Sequence, residues 1–220
     1  MNQSLSISKT GLHAIQYQMD TIAHDIANVN TTAYKAKETS FNELMTNTYV
    51  NNNRLLLGDN VELSIQAGTR SHDYTTNFSQ GSLVESPGEM QFAISGEGYF
   101  QITGKDGRTY YTRDGNFHQD EEGIVKNAHD EVVLMNRDVP AVFNSSEGTL
   151  MFAKGENQYT AQGPMEPSRS EILIGYLEAS NVNLADAFSQ MIIAQRAYGM
   201  NLKAAQSTDE IMSLINQFKQ

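Results

Sequence analysis

The sequence predicts an α+β chain in which long N- and C-terminal helices pair as an antiparallel coiled coil and flank a central β-rich domain. Three observations carry this reading. Apolar residues near the start recur at alternating steps of three and four, no proline interrupts Asn183 to Gln220, and the stretch between follows a period of two broken by frequent turn residues.

The first element rests on Leu5, Ser8, Leu12, Ile15, Met19, Ile22, Ile26 and Val29, a heptad seam. Lys9, His13, Gln16, Gln18, Asp20 and Asp25 fill the intervening positions, so a helix here is apolar along one stripe and polar around the rest. Asn28, Asn30, Thr31 and Thr32 then offer side chains that compete for backbone hydrogen bonds, which ends the helix near Asn28.

At the other end Asn183 is placed to cap a second helix, with Asp186 adding negative charge to its first turn. Its stripe runs Leu184, Phe188, Met191, Gln195, Tyr198, Leu202 and Ala205, with Ile192 flanking, and drifts to Ile211, Leu214, Ile215 and Phe218. At 1.5 Å per residue the helices reach about 35 and about 55 Å. Neither buries its stripe alone, so Leu12, Ile15, Met19, Ile22, Ile26, Val29, Phe188, Met191, Ile192, Tyr198, Leu202 and Met212 form the expected assembly interface. A self-assembling subunit is the first reading; a monomeric cell-wall-binding module with an internal helical pair is the alternative.

Between the helices, Val61, Leu63, Ile65 and Ala67 alternate, and turn residues bound runs such as Gln91 to Ser95, Tyr99 to Thr103 and Thr109 to Thr112. The punctuation includes Gly68, Pro87-Gly88, Lys105-Asp106-Gly107 and Arg113-Asp114-Gly115-Asn116. Glu171 to Leu177 reads as the last strand. Residues 35 to 60 and 144 to 168, marked by Asn51-Asn52-Asn53, Pro164 and Pro167, read as connectors. The expected divisions are therefore 1–34, N-terminal helix and turn; 35–78, connector with strands; 79–178, β-rich domain; and 179–220, C-terminal helix.

Composition removes several functions. Fifteen Lys and Arg stand against 26 Asp and Glu in 220 residues, a net charge of -11, which argues against nucleic acid or an anionic membrane as partner. No apolar run approaches the roughly 20 residues of a membrane span, and Met1-Asn2-Gln3-Ser4 lacks the start of a cleaved leader. Cysteine is absent, so disulfides and thiolate metal sites are excluded. Gly96-Glu97-Gly98 begins like a dinucleotide fingerprint, but Gln101 stands at the third glycine and a strand follows. His13 and His24 are too far apart along a helix to share a metal; His72, His118 and His129 lie among loops. Asp114, Asp120, Glu121 and Glu122 sit in turns, where carboxylates are solvated. No cofactor, metal or catalytic residue is expected.

Three strings then acquire meaning together. Ile26-Ala27-Asn28-Val29-Asn30-Thr31-Thr32-Ala33-Tyr34-Lys35 lies near the start. Gly175 to Asn183, Met191-Ile192, Gln195-Arg196-Ala197-Tyr198 and Asn201 lie near the end, and Gly81-Ser82-Leu83, Phe92 to Phe100 and Tyr111 to Phe117 lie between. The chain resembles the bacterial flagellar basal-body rod protein family, the rod and hook axial proteins, of the proximal or distal rod subunit type. Asn28, Asn30, Thr31, Tyr34, Lys35, Asn181, Asn183 and Arg196 carry the family motifs. The resemblance implies a subunit of a helical tube whose terminal helices pack around the export channel. It also implies copies of itself, other rod or hook subunits and the flagellar export apparatus as partners. Its location would be the basal body, reached by export across the inner membrane into the periplasm or cell envelope. The chain departs from the family at Ala33, where glycine is usual, at Gly199, where a longer polar residue is usual, and in a shortened stretch from Val139 to Pro167.

Overall fold

Alternation within short runs and capping residues at their ends shape the elements that form. The computed structural model describes residues 2–39, 42–49, 63–70, 74–88, 90–145, 150–155 and 157–218, with some of these defined through the backbone alone. Val61, Asn51-Asn52-Asn53 and His72 lie outside the described residues.

Helix α1 spans Asn2–Ala27 and helix α2 spans Leu184–Gln217. The Asn28 amide donates to Asp25 O at 3.1 Å as α1 closes, and α2 opens directly after Asn183 with Asp186 in its first turn. The 26 and 34 residues give lengths of about 39 and about 51 Å. No described helix is long and apolar enough to cross a membrane.

The strands are β1 (Lys37–Thr39), β2 (Asn42–Tyr49), β3 (Leu63–Arg70), β4 (Tyr74–Thr76), β5 (Leu83–Glu85), β6 (Phe92–Ser95) and β7 (Tyr99–Thr103). They continue with β8 (Thr109–Thr112), β9 (His118–Gln119), β10 (Val125–Lys126), β11 (Val132–Val133), β12 (Met135–Asn136) and β13 (Val139–Pro140). The last are β14 (Val142–Ser145), β15 (Leu150–Gly155), β16 (Gln158–Gln162), β17 (Met165–Pro167), β18 (Glu171–Ile174) and β19 (Tyr176–Glu178).

The chain falls into two compact units. One gathers Met1–His24, Lys37–Thr75 and Ala185–Gln220; the other gathers Asp25–Ala36 and Thr76–Leu184. In the first, β2 and β3 pair antiparallel, with Glu43 opposite Thr69 and Met45 opposite Gln66. Two residues, Ala67 and Gly68, thus oppose one, so Gly68 marks a bulge inside a strand rather than a turn. The helices of this unit approach closely at Gly11, where an added methyl would lie 3.1 Å from Asn201 Nδ2.

The second unit holds a sheet ordered β15-β16-β8-β7-β11-β10-β9, with β14 pairing both β7 and β17. Strands β7 and β8 form a hairpin with Phe100 opposite Thr112 and Ile102 opposite Tyr110. Its turn closes through Gly104 N to Arg108 O at 2.9 Å. Phe92, Ile94, Phe100, Ile102, Tyr110, Phe117, Val125, Val133 and Val142 pack as its core. Each such side chain contributes about 1.5–3 kcal/mol by leaving water.

Two sequence expectations change here. Residues 144–168 are not a connector: β15, β16 and β17 lie within them, held by ladder bonds such as Phe152 opposite Thr160 and Tyr159 opposite Tyr111. β1 and β2 fall within 35–60, part of the 35–78 stretch expected to be a connector with strands. In these stretches backbone pairing supplies the strand; polar side chains conceal the alternation in β16, and the unbroken apolar run Leu150-Met151-Phe152-Ala153 conceals it in β15. Glu171 to Leu177 is also two strands, not one. Gly175, at φ +78°, breaks the run, so β18 pairs with β6 and β19 with β5.

Candidate assembly site

The 34 residues of α2 are apolar on more than one side. Its covered face is Ala187, Met191, Ala194, Tyr198, Asn201, Ala205 and Thr208, spaced four and three apart throughout, with Ala187 and Ala194 buried. Phe188, Ile192 and Leu202, three of the residues expected at the interface, are exposed, as are Leu184 and Gln195. The periodicity had placed Gln195 in the seam; the structure buries its neighbour Ala194. Alanine adds little to a hydrophobic pattern, yet small side chains let a neighbouring backbone come close. Met191 and Tyr198 are half-buried, and Met212 lies in α2 among residues whose side chains are not described.

Helix α1 behaves differently. Ile22 is buried, Leu12, Ile15, Met19 and Ile26 are half-buried along it, and Val29 is half-buried just beyond its end. Lys9, His13, Gln16 and Asp20 are exposed, whereas Asp25, expected on the polar face, is buried. The Tyr34 hydroxyl accounts for it, donating to Asp25 Oδ1 at 2.7 Å.

That bond opens a buried cluster within the second unit. Lys35 Nζ lies 2.5 Å from Glu178 Oε1, both side chains 1% exposed, and also donates to Ser79 O at 2.7 Å. Arg113 Nη1 reaches Glu178 Oε2 at 3.4 Å and Gly96 O at 2.8 Å. The Gly81 amide donates to Glu178 Oε1 at 2.9 Å, and a methyl on Gly81 would sit 2.0 Å from Ala179 O, so only glycine fits. Burial drives the Lys35 ammonium below the ordinary lysine range, opposed by its hydrogen bond and charge pairing with Glu178. The Arg113 guanidinium also lies over the Tyr99 ring, 5.2 Å from its centre, while its buried Nε finds no acceptor among the described residues.

The backbone completes this clamp. Ala33 N donates to Glu178 O at 2.7 Å, Asn181 N to Tyr34 O at 3.2 Å, and Ala36 N to Asn181 Oδ1 at 2.7 Å. Asn181 Nδ2 donates to Asn77 O at 2.8 Å. Ala33 holds φ +55°, a conformation glycine adopts more easily, so the clamp tolerates strain there. Asp114 is half-buried rather than solvated: Thr32 Oγ1 donates to it at 2.9 Å, and burial raises its carboxyl above the usual range. The cluster's charges are engaged with one another, a holding arrangement.

Of the eight motif residues, Tyr34, Lys35 and Asn181 enter the clamp. Asn28 Oδ1 accepts from Thr31 Oγ1 at 3.1 Å, while Asn30, Asn183 and Arg196 are exposed. The sequence reading did not single out Glu178, Arg113 or Asp25 as partners. Its available signal was charge set among apolar neighbours, as in Leu177-Glu178-Ala179.

The family model for the flagellar basal body rod FlgEFG protein C-terminal region matches residues 174–218, which take in the end of the clamp and nearly all of α2. The flagellar basal-body rod protein FlgG of Buchnera aphidicola subsp. Baizongia pistaciae is 31% identical over 258 positions, covering 98% of this chain and 99% of that protein. The chain belongs to the flagellar basal-body rod protein family. Among other rod-family members, FlgG of Borreliella burgdorferi is 29% identical over 100% of this chain and 99% of its own length. The rod protein FlgF of Caulobacter vibrioides is 26% identical over 96% and 95%. The chain is accordingly a structural rod subunit of the flagellar basal body. The alignment with FlgG of Agrobacterium fabrum runs to 262 positions against 220 residues here, so that rod protein carries residues this chain lacks.

Proposed function

We propose that this rod subunit self-assembles, with its own copies and with other rod or hook subunits, into a helical tube around the export channel. The terminal helices do this work, pairing within the chain as an antiparallel coiled coil and presenting the remaining apolar surface to neighbours. Gly11 stands 16 residues before the end of α1 and Asn201 stands 17 after the start of α2, a match that supports antiparallel pairing. The observation that carries the reading is the distribution of side chains on α2. Ala187 and Ala194 are buried within the chain, and Phe188, Ile192 and Leu202 are exposed. Catalysis has no part in this role. The subunit reaches its place through the flagellar export apparatus, without membrane insertion or nucleic acid.

Leu202→Asp tests the proposal, since Leu202 is exposed in the single chain. The dilute variant is expected to keep the melting temperature of its β unit, while cells carrying it build no complete rods by electron microscopy and do not swim. Normal rods and motility would overturn the assembly role. Ile22→Asp is a different experiment, because Ile22 is already buried and its loss weakens the subunit itself.

A further inference from the structure

Asn181 is one of the motif residues, and the clamp gives its side chain a task that the charges beside it do not share. The chain passes between its two compact units four times: between His24 and Asp25, Ala36 and Lys37, Thr75 and Thr76, and Leu184 and Ala185. Within the second unit, residues at or beside all four passages are bonded into one ring. Asn181 stands three residues before Leu184, and its amide N donates to Tyr34 O at 3.2 Å. The Tyr34 hydroxyl in turn holds Asp25, at the first passage. Asn181 Oδ1 accepts from Ala36 N, at the second passage, at 2.7 Å, and Nδ2 donates to Asn77 O, just past the third, at 2.8 Å. Asn77 N donates to Ala36 O at 2.9 Å, which closes the ring.

We propose that Asn181 is a positioning residue: its carboxamide ties the four passages together, so that α1, the β1 and β4 pair and α2 leave the second unit from fixed points. The claim rests on the self-assembly reading for its effect in cells, and not for the bonds themselves. The residue type follows from the bonds. A carboxamide presents one acceptor oxygen and two donor hydrogens. Here the oxygen is taken by Ala36, and Nδ2 also lies 3.1 Å from Ser79 O and 3.2 Å from Ser79 Oγ. Aspartate, of the same shape, supplies no donor when ionised, and alanine supplies neither donor nor acceptor. Ser79 O accepts from Lys35 Nζ as well, at 2.7 Å, which links the tie to the pair of Lys35 and Glu178. Past the ring the chain continues as paired strands, since β1 begins at Lys37 and β4 ends at Thr76. The bond from Asn77 N to Ala36 O extends that pairing, so loss of the Asn181 carboxamide frays strands that lie beyond its own bonds.

Hydrogen exchange on the full chain, as wild type, Asn181→Ala and Asn181→Asp, decides the matter. In Asn181→Ala the amides of Ala36, Asn77, β1 and β4 are expected to exchange at least about tenfold faster, while those of Ile102 and Tyr110 stay within about twofold of wild type. Asn181→Asp keeps the acceptor for Ala36 and loses both donors, so Asn77 and β4 should speed up while Ala36 does not. Cells carrying Asn181→Ala are expected to build few rods although the core of the β unit is intact. Exchange unchanged in both variants overturns the proposal, as does acceleration confined to Ala36, which makes the bond a local one. Acceleration spread equally through Ile102 and Tyr110 overturns it too, because Asn181 then supports the whole unit. The expected exchange together with normal rods and motility overturns the positioning role in assembly, and leaves self-assembly to be judged by Leu202→Asp.

Discussion

Glu178 and Phe218 mark two extremes: a carboxylate 1% exposed and a phenyl ring 90% exposed. The unit around Glu178 completes its interactions inside one chain. Its charge meets Lys35 and Arg113, its backbone meets Ala33, and a core of aromatic and branched side chains lies in the same unit. Helix α2 leaves Ile193, Met200, Ile211 and Leu214 in water as well. Buried charge is tolerated where its counter-charges are supplied locally, and exposed apolar surface of this extent is the mark of an interface. The two regions therefore answer to different perturbations.

The largest expected effect is on the clamp. Glu178→Ala leaves Lys35 and Arg113 buried without their counter-charge and is expected to cost about 3–5 kcal/mol, read from denaturant unfolding of the β unit. A loss below about 1 kcal/mol would mean the cluster is not the closure described. Gly199→Ala works on the other region and in the opposite direction. Beyond the helix's own backbone and its chain neighbours, no atom of the described residues lies within 4 Å of the added methyl, so the helix should gain about 1 kcal/mol, seen as higher α2 helicity in the dilute chain. A decrease in helicity would show that Gly199 is shaped by a neighbour within the chain.

The smallest effect concerns pH. Burial raises the Asp114 pKa in the folded chain above its unfolded value near 3.8, so the folded state holds its proton to higher pH. In the window from about 3.8 up to the raised value, this group's contribution to stability falls as pH rises. Wild type should therefore gain on Asp114→Asn as the solution is acidified through that window. A difference that does not change with pH would show that Asp114 titrates alike in both states.

Much of the fold was legible because local signals agreed with the final packing. The runs Tyr99 to Thr103 and Thr109 to Thr112 form β7 and β8 at their expected bounds, α1 ends beside Asn28 and α2 begins beside Asn183. Legibility failed where contacts distant in sequence decide. Strands β15 to β17 take their form from ladder partners, Gly175 divides a run that alternates well, and Asp25 is drawn inside by a tyrosine beyond its own helix. Of the motif, the string could be recognised but its purpose could not. Lys35 and Glu178 are 143 residues apart, and nothing in the spacing of either predicts their bond. On α2, Ala187 and Ala194, which scarcely register in a hydrophobic pattern, are buried, while Phe188, Ile192 and Leu202 of the expected stripe are exposed.

Hydrogen exchange on the full chain, dilute and then concentrated with its rod partners, tests most directly whether one region is finished and the other awaits neighbours. Amides of Phe92 to Thr112 should be protected equally in both states, and those of Phe188 to Gln217 should gain protection only on assembly. Full protection of α2 in the isolated monomer would contradict it.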